Sequence, residues 1–488
     1  QPMMTADERF VLSFNGEIYN FQELRTELES TGIWFRSRTD SEVVLQALAT
    51  WGVEAILKFN GMFGLALWDR KKRKLLLARD RYGIKPLYYS LQGNVFSFGS
   101  EQKAIFADQR MQADLDKKAL LEYFTFQNIF TERTLLNGVK LLGAGCFLEI
   151  DLIKKESEPS VTQYWDFNFR EPNEKAGKQE YVEELQRLFH QAVKRQLVTD
   201  VEVGSYLSSG LDSGSITAIA SEFCPDMKTF TVGFDLHSAS GLELGFDERA
   251  RSEFLSYKFQ SEHYEMVLKA GDMERCLPKL AWHLEEPRVG QSYPNYYAAK
   301  LASKFVKVAL SGVGGDELFA GYPWRYYRAN RNSTFEAYID DYYAFWQRLL
   351  TSSEIKTLFR PIWNEVKDVC TQEIFKNVFK NNSRDINTPA DIINSSLYFE
   401  AKTFLNGVLV VEDKLSMAHG LETRLPFLDN DLVDFAMQCP VSLKLNNLSD
   451  AVRLNENDPG AGGTRIFQKT KDGKQILREA MKKVLPSE

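Results

Sequence analysis

Apolar and polar positions follow two different periods along this chain, and the change from one to the other marks its organisation. Short runs at period two dominate the first 150 residues. ERFVLSFNGEIYN (8–20) reads as a strand ending at a loop. FQELRTELESTG (21–32) predicts a helix with Leu24 and Leu28 on one face and Gly32 as its stop. SEVVLQALATWG (41–52) predicts a second helix, with Val43, Val44, Leu45, Leu48 and Trp51 as its buried stripe. GMFGLALWD, RKKR and KLLLARDR (61–81) predict a β-hairpin with a basic tip, which reads as a solvated turn rather than a nucleic-acid contact. YGIKPLYYS and VFSFGSE add two strands, and residues 111–150 add a helix and a hairpin that close the unit. Two amphipathic helices with many paired strands predict a layered α+β domain over residues 1–150.

Residues 151–180 are polar and Pro-spaced, as a linker is. The period then becomes helical: Tyr181, Leu185, Leu188, Phe189 and Val193 form one face over 179–197. Beyond it, apolar runs at 201–207, 227–235, 263–268 and 306–310 alternate with helical stretches at 246–259 and 294–305. Val201, Val203, Tyr206 and Leu207 give the first run the content of a buried parallel strand. Such alternation predicts a parallel sheet with helices on both faces, in an α/β domain over 181–488. Ligands of such sheets sit beyond the carboxyl ends of the strands. Residues 331–400 are helical and aromatic, with the rings at core spacing; 446–465 reads as a mobile insertion.

Composition narrows the function classes. The chain has 488 residues, enough for two or three domains, and its 44% hydrophobic and 26% charged content is that of a globular protein. A net charge of -7 points away from nucleic acid and anionic membranes. No apolar run reaches the roughly 18 residues of a membrane span. The five cysteines (146, 224, 276, 370 and 439) have no paired spacing, which predicts a reducing, cytoplasmic setting and no zinc site. The first residue is Gln1 rather than Met, which reads as a fragment or a trimmed product.

The candidate chemistry begins at SSGLDSG (208–214), between a predicted strand and a predicted helix. A helix N-terminus offers unpaired N–H groups and partial positive charge. Serine hydroxyls and glycine-opened backbone let phosphate oxygens approach, and Asp212 can hold Mg²⁺. No Gly-Lys-Ser/Thr ending is present, so the loop is not the P-loop of γ-phosphoryl transfer. An ordinary Ser/Gly turn capping a helix is the plainer reading. In order and spacing, the stretch resembles the Ser-Gly-Gly-x-Asp-Ser loop of ATP pyrophosphatases, with Ser209 departing from the usual Gly. A second strand–loop–helix, VKVALSGVGGDELFAGY, puts Asp316 and Glu317 at a helix start, as caps or as a second Mg²⁺ site facing Asp212. It resembles the family's Ser-Gly-x-Gly-x-Asp-Glu pattern through Ser311, Gly312, Gly314, Asp316, Glu317, Gly321 and Tyr322; Val313 stands where an acid is common.

Three stretches of the first domain, FNGEIYN (14–20), RTDSE (38–42) and RDRYGIKPLYY (79–89), resemble class II glutamine amidotransferases, which are N-terminal-nucleophile hydrolases. That resemblance implies a glutamine site at Asn15, Gly16, Glu17 and Asp40, with Asp40 on the α-ammonium and the Asn15–Gly16 backbone at the oxyanion. Taken singly, Asn-Gly is a turn signal and Asp40 a helix cap. The family nucleophile is an N-terminal Cys. Here no Cys precedes Cys146, which reads as structural within KLLGAGCFLEI, so the chain as given is expected to lack the glutaminase Cys.

VEDKLSMAHGLETRLPFLD (411–429) and the tail GKQILR (473–478) extend the resemblance over nearly the whole chain, to glutamine-dependent asparagine synthetases and their relatives. The tail stops before the family's lysine loop, which fits the fragment reading. The resemblance implies ATP and Mg²⁺ as cofactors, Asp212 and Asp316 as metal ligands, and Ser208, Gly210 and Ser213 as the pyrophosphate cradle. It implies Leu207, Val232, Ser311 and Gly312 around the nucleotide, and Glu286 steering attack by ammonia delivered through an internal channel. Glu422 and Arg424 are candidates for binding the acceptor acid, or form a structural ion pair. Small molecules (glutamine, aspartate or another acid) are then the partners, with no nucleic acid, no membrane and a homodimer as one possible assembly. Amidation or cyclisation of another acid, such as a sugar acid or β-lactam precursor, and a non-catalytic scaffold are the rival readings.

Overall fold

The computed structural model describes residues 1–153, 158–173, 176–235, 237, 247–290, 292–328, 334–382, 386–448, 456 and 471–486. The insertion expected at 446–465 falls largely outside these residues, as do 154–157, 174 and 175 of the expected linker. The chain forms two compact units: residues 1–116 with 131–166, and residues 117–130 with 167–488.

The first unit is built on two antiparallel sheets. The larger has the strand order β1 (Met3–Met4), β2 (Phe10–Ile18), β3 (Gly61–Asp69), β4 (Lys74–Arg79), β8 (Cys146–Asp151), β9 (Ser160–Gln163). The smaller runs β6 (Val95–Gly99), β5 (Tyr88–Gln92), β7 (Val139–Leu141). Period-two alternation buries the larger sheet on both faces. Leu65 and Leu67 of β3, with Leu76 and Ala78 of β4, pack with Leu24 and Leu28 of the helix Phe21–Ser30 and Val43, Val44 and Leu48 of the helix Asp40–Trp51. The intervening Ala66 and Leu77 point the other way, onto Leu87, Tyr89, Leu142 and Leu148. Both helices form as expected, with one correction at a cap. Thr39, not Asp40, is the N-cap of the helix Asp40–Trp51, its hydroxyl accepting from Glu42 N at 3.4 Å.

The second unit holds a five-stranded, all-parallel sheet in the order β12 (Glu262–Leu268), β11 (Lys228–Phe234), β10 (Val203–Tyr206), β13 (Val308–Leu310), β14 (Glu422–Arg424). β10 is central because it is short and apolar enough to be covered on both sides, with β11 and β13 as its neighbours. It begins at Val203; Val201, expected inside it, is 46% exposed because pairing starts two residues later. Phe230 of β11 and Ala309 of β13 pack with Ala299, Leu301 and Ala302 from the helix Ser292–Ala302. The aromatic stretch forms a separate core, as expected: Tyr342, Trp346, Phe375 and Phe399 meet with ring centroids 4.4–6.1 Å apart. The helix Lys117–Phe126 belongs to this unit and adds Phe126 to the same core, against Phe375 and Tyr343.

Candidate functional site

β10 and β13 are adjacent and parallel, so the loops that follow them emerge side by side at one end of the sheet. After β10, Gly210 caps the helix Leu211–Phe223 in extended conformation, and the loop closes on its own hydroxyls. Ser208 and Ser213 hydroxyls stand 2.8 Å apart, Ser208 N donates to Ser213 Oγ at 3.0 Å, and Gly210 N donates to Ser208 Oγ at 3.1 Å. The departing residue, Ser209, donates its hydroxyl to Glu248 Oε1 at 3.0 Å. Asp212 lies in the first helical turn, buried.

After β13, the second loop turns through Gly314 at φ +100° into the helix Gly315–Phe319, which carries Asp316 and Glu317. Its glycines are required by close approach. A Cβ on Gly315 would lie 2.6 Å from Asp212 Cγ, and one on Gly321 1.7 Å from Asp316 Oδ1. Asp212 and Asp316, expected on facing loops, are brought to a single cation. Lys474 Nζ stands 2.6 Å from Asp212 Oδ2 and 2.5 Å from Asp316 Oδ1. Burial works against the Lys474 ammonium, but the two carboxylates outweigh it and hold its pKa above the ordinary value. Burial pushes Asp212 up to about 6, against the lowering pull of Lys474 and with Asp316 adding to the rise. The sequence marks the Gly473–Lys474 start of the tail helix but gives Lys474 no partner; only the fold supplies one.

The pair fits a hard cation. Asp212 Oδ1 is buried with no hydrogen-bond partner, so an oxygen donor is left over beside a position already held by positive charge. Among the described residues no cluster of three or more His, Cys, Asp or Glu forms a metal site. Two carboxylates with phosphate oxygens and water completing the shell is the way Mg²⁺ is commonly held.

Beside the loops lies a cavity of about 260 Å³. Leu207, Ser208, Val232 and Ser311, four residues expected around the nucleotide or its phosphates, all line it. Val313, the departure from the acidic pattern, lines it too, as do Glu248 and Glu412, to which sequence reasoning assigned nothing. Gly312 packs beneath, where a Cβ would meet Asp212 Cβ at 3.1 Å.

The remaining expected residues lie apart from that cavity's lining. Glu286 is buried, and its Oε1 accepts from Arg288 Nε and Nη2 at 2.9 and 2.6 Å; Arg288 Nη1 also donates to Ile129 O at 3.1 Å. Arg424 donates to Glu422 Oε1 at 2.7 Å and to the carbonyls of Gln196 and Val198, both at 2.8 Å. This pair therefore ties β14 to the end of the helix Lys178–Gln196.

In the first unit, Asn15, Gly16 and Glu17 were expected in a loop. They lie instead inside β2, paired with Gly64, Phe63 and Met62 of β3. Glycine is what permits this: a Cβ on Gly16 would sit 2.0 Å from Met62 O, and one on Gly61 2.2 Å from Glu17 O. Asn15 Nδ2 donates to Ser100 Oγ at 3.1 Å, and Asp40 Oδ2 accepts from Ile18 N at 3.1 Å. Asp40 thus meets the strand that carries the other three residues. Cys146 is buried on β8 among Ala66, Leu77, Leu87 and Tyr89, with Sγ 3.5 Å from Ala144 O.

Comparison with known proteins gives this geometry a family. The asparagine synthase family model matches residues 184–488, and the glutamine amidotransferase domain model matches residues 1–165. Asparagine synthetase (glutamine-hydrolyzing) 1 of Bacillus subtilis (strain 168) is 31% identical over 507 aligned positions, covering 97% of this chain and 77% of that protein. A putative asparagine synthetase (glutamine-hydrolyzing) of Mycobacterium tuberculosis (strain ATCC 25618 / H37Rv) is 30% identical, covering 92% of this chain and 72% of that protein. Asparagine synthetase (glutamine-hydrolyzing) 3 of Bacillus subtilis (strain 168) gives the same identity and the same two coverages.

Two expectations follow directly. The fold is a class II amidotransferase-like α+β unit followed by an ATP pyrophosphatase-like unit with a parallel sheet, as the sequence predicted. The expectation that the chain lacks the glutaminase Cys has no support in these relatives, and Cys146 is present on β8. No described helix is long and apolar enough to cross a membrane. With one model matching well over half of its length and relatives at 30% identity or above over most of it, the chain belongs to the asparagine synthase family of ATP-using, glutamine-dependent amide-forming ligases.

Proposed function

We propose that this chain joins ammonia from glutamine to the side-chain carboxyl of aspartate, through an acyl-adenylate, giving asparagine, AMP and pyrophosphate. One observation carries the reading. The loops after β10 and β13 bring Asp212 and Asp316 to one cation beside a cavity lined by Leu207, Ser208, Val232 and Ser311. An enzyme that expels pyrophosphate from ATP needs a site for the adenosine and a separate cradle for the leaving group, and the cavity and the neighbouring Ser208–Ser213 loop are suited to those two tasks.

Each residue has work within that scheme. The N–H groups at the start of the helix Leu211–Phe223, with the Ser208 and Ser213 hydroxyls, can turn from each other to the pyrophosphate oxygens. Asp212 and Asp316 would hold Mg²⁺, which supplies charge neutralisation to the leaving pyrophosphate. Lys474 holds the two carboxylates in register and offers positive charge to the same phosphates. The acceptor carboxylate attacks the α-phosphorus, and ammonia then displaces AMP. In the first unit, Asn15, Gly16, Glu17 and Asp40 are the proposed glutamine site. Glu286 is proposed to act on the ammonia step by electrostatics, through the pair it makes with Arg288.

The decisive experiment supplies ATP, Mg²⁺ and ammonium salt with aspartate or a panel of other carboxylic acids, and measures AMP and amide. AMP and asparagine with aspartate alone support the proposal; AMP with another acid and none with aspartate overturns the choice of acceptor. One observation favours a second acceptor. Val313 puts an apolar side chain into the cavity wall where the family pattern has an acid, so an acid bulkier or less polar than aspartate would meet a compatible surface.

A further inference from the structure

The cavity beside the two loops contains chemistry not used in the reaction as described so far. Its lining carries two carboxylates, Glu248 and Glu412. Glu248 is engaged by the Ser209 hydroxyl, which ties it to the pyrophosphate loop. Glu412 belongs to the helix Phe404–Met417. Leu415 and Ser416, three and four residues on, line the same cavity, so one helical face is turned to it.

We propose that Glu412 is the base of the amidation step, taking a proton from the nitrogen that ammonia brings to the activated carboxyl group. This rests on the reading that the cavity holds an acyl-adenylate. Ammonia adds to the acyl carbon, and a C–N bond forms. The nitrogen then carries a positive charge, and one of its protons passes to the Glu412 carboxylate. The tetrahedral carbon expels AMP, which leaves with the electron pair of the broken C–O bond. Glu412 returns its proton to solvent.

Two observations support this assignment. First, Glu412 is placed on the cavity wall, whereas the buried Glu286 is bound to Arg288 and is absent from that wall. Second, Ser311, the first residue of the second loop, lines the same cavity, which sets Glu412 beside the proposed nucleotide site. Burial pushes its pKa up to about 7, Ser311 pulling it down and Asp413 adding to the rise. A base near the working pH is the most effective kind. Around it, Tyr206 on β10 feels its charge, and Glu248 shares the cavity. The charged pairs on the elements packed against its helix, Lys414–Glu285 and Arg424–Glu422, hold one another at 2.5 and 2.7 Å.

The test separates the two half-reactions in the full chain. Acid-dependent exchange of labelled pyrophosphate into ATP reports adenylation, and amide formation from ammonium salt reports the second step. Glu412→Gln should lower amide formation on the order of 100-fold or more, while exchange falls far less. The acidic limb of the parent's pH profile for amide formation, near pH 7, should vanish in Glu412→Gln, and Glu412→Asp should recover part of the rate with that limb intact. Retained exchange also shows that the variant is folded. Equal losses in both half-reactions, or an unchanged amide step, would overturn the assignment of Glu412. No exchange in the parent with any acid would instead overturn the adenylation reading beneath it.

Discussion

Lys474 and Asp212 are 262 positions apart in the chain and meet at 2.6 Å, Nζ to Oδ2, inside a buried site that also takes in Asp316. An ammonium is therefore built in against the two carboxylates proposed as Mg²⁺ ligands. Their mutual repulsion is held down by that ammonium, and the adjacent Asp212 Oδ1 is left over as a donor.

Replacing Lys474 with Met should destabilise the second unit by about 3–5 kcal/mol, because it leaves buried carboxylates without their partner. Mg²⁺ should then recover part of the loss by taking the vacated position. Thermal unfolding of parent and variant with and without millimolar Mg²⁺ checks this. A variant whose midpoint ignores Mg²⁺ would show that the carboxylates do not hold it.

Gly16→Ala introduces a Cβ 2.0 Å from Met62 O, so β2 has to move away from β3. The expected cost is about 1–3 kcal/mol or more, confined to the first unit. Glutamine-dependent amide formation should fall, while ammonia-dependent formation by the second unit persists. Comparing the two nitrogen sources in one preparation is the check. An equal fall in both would place Gly16 in a role wider than the glutamine site.

Ser209→Gly removes the 3.0 Å hydrogen bond to Glu248 from the proposed pyrophosphate loop. The loss of that bond should cost about 1 kcal/mol of stability. The loop remains closed by the Ser208–Ser213 pair, so ATP affinity should change by a few-fold at most, read by equilibrium titration.

Glu412 also makes stability depend on pH, with a definite sign. Its pKa rises from 4.5 to about 7 on folding through burial. Between those values the folded protein binds a proton that the unfolded chain does not, so its contribution is full below pH 4.5 and is lost as pH rises through about 7. The slope reaches about -1.4 kcal/mol per pH unit at its steepest. Glu412→Gln should lack that component, and urea midpoints at pH 5, 6, 7 and 8 compare the two. Parallel pH curves for parent and variant would show that the carboxyl is not held in its neutral form.

Much of this protein was legible in one dimension. The change from period two to alternating strand and helix gave an α+β unit and then a parallel-sheet unit, because burial on one face or two imposes those periods directly. The buried stripe of Val43, Val44, Leu45 and Leu48 and the helix start at Asp316 and Glu317 were readable for the same local reason, whereas the helix Leu211–Phe223 begins four residues before the expected SITAIASEF and takes Asp212 and Ser213 into its first turn. Local signals misled where the partner strand decided. Asn15-Gly16 has the chemistry of a turn, yet Gly61 across the ladder lets β2 continue through it. Thr39 outcompeted Asp40 for the helix cap, because Asp40 has its acceptor oxygen on Ile18 N instead.

The site divides along the same line. The sequence by itself singled out the two loops proposed to bind phosphate, since serine, glycine and aspartate near a helix start act within a few residues. Only the tertiary structure decided that Asp212 and Asp316 share Lys474, that Glu286 pairs with Arg288, and that Glu412 is on the cavity wall. Those relations depend on parallel strands placing distant loops at one end of a sheet. They depend too on helices returning from far along the chain to cover it, and no local pattern of residues encodes such proximity.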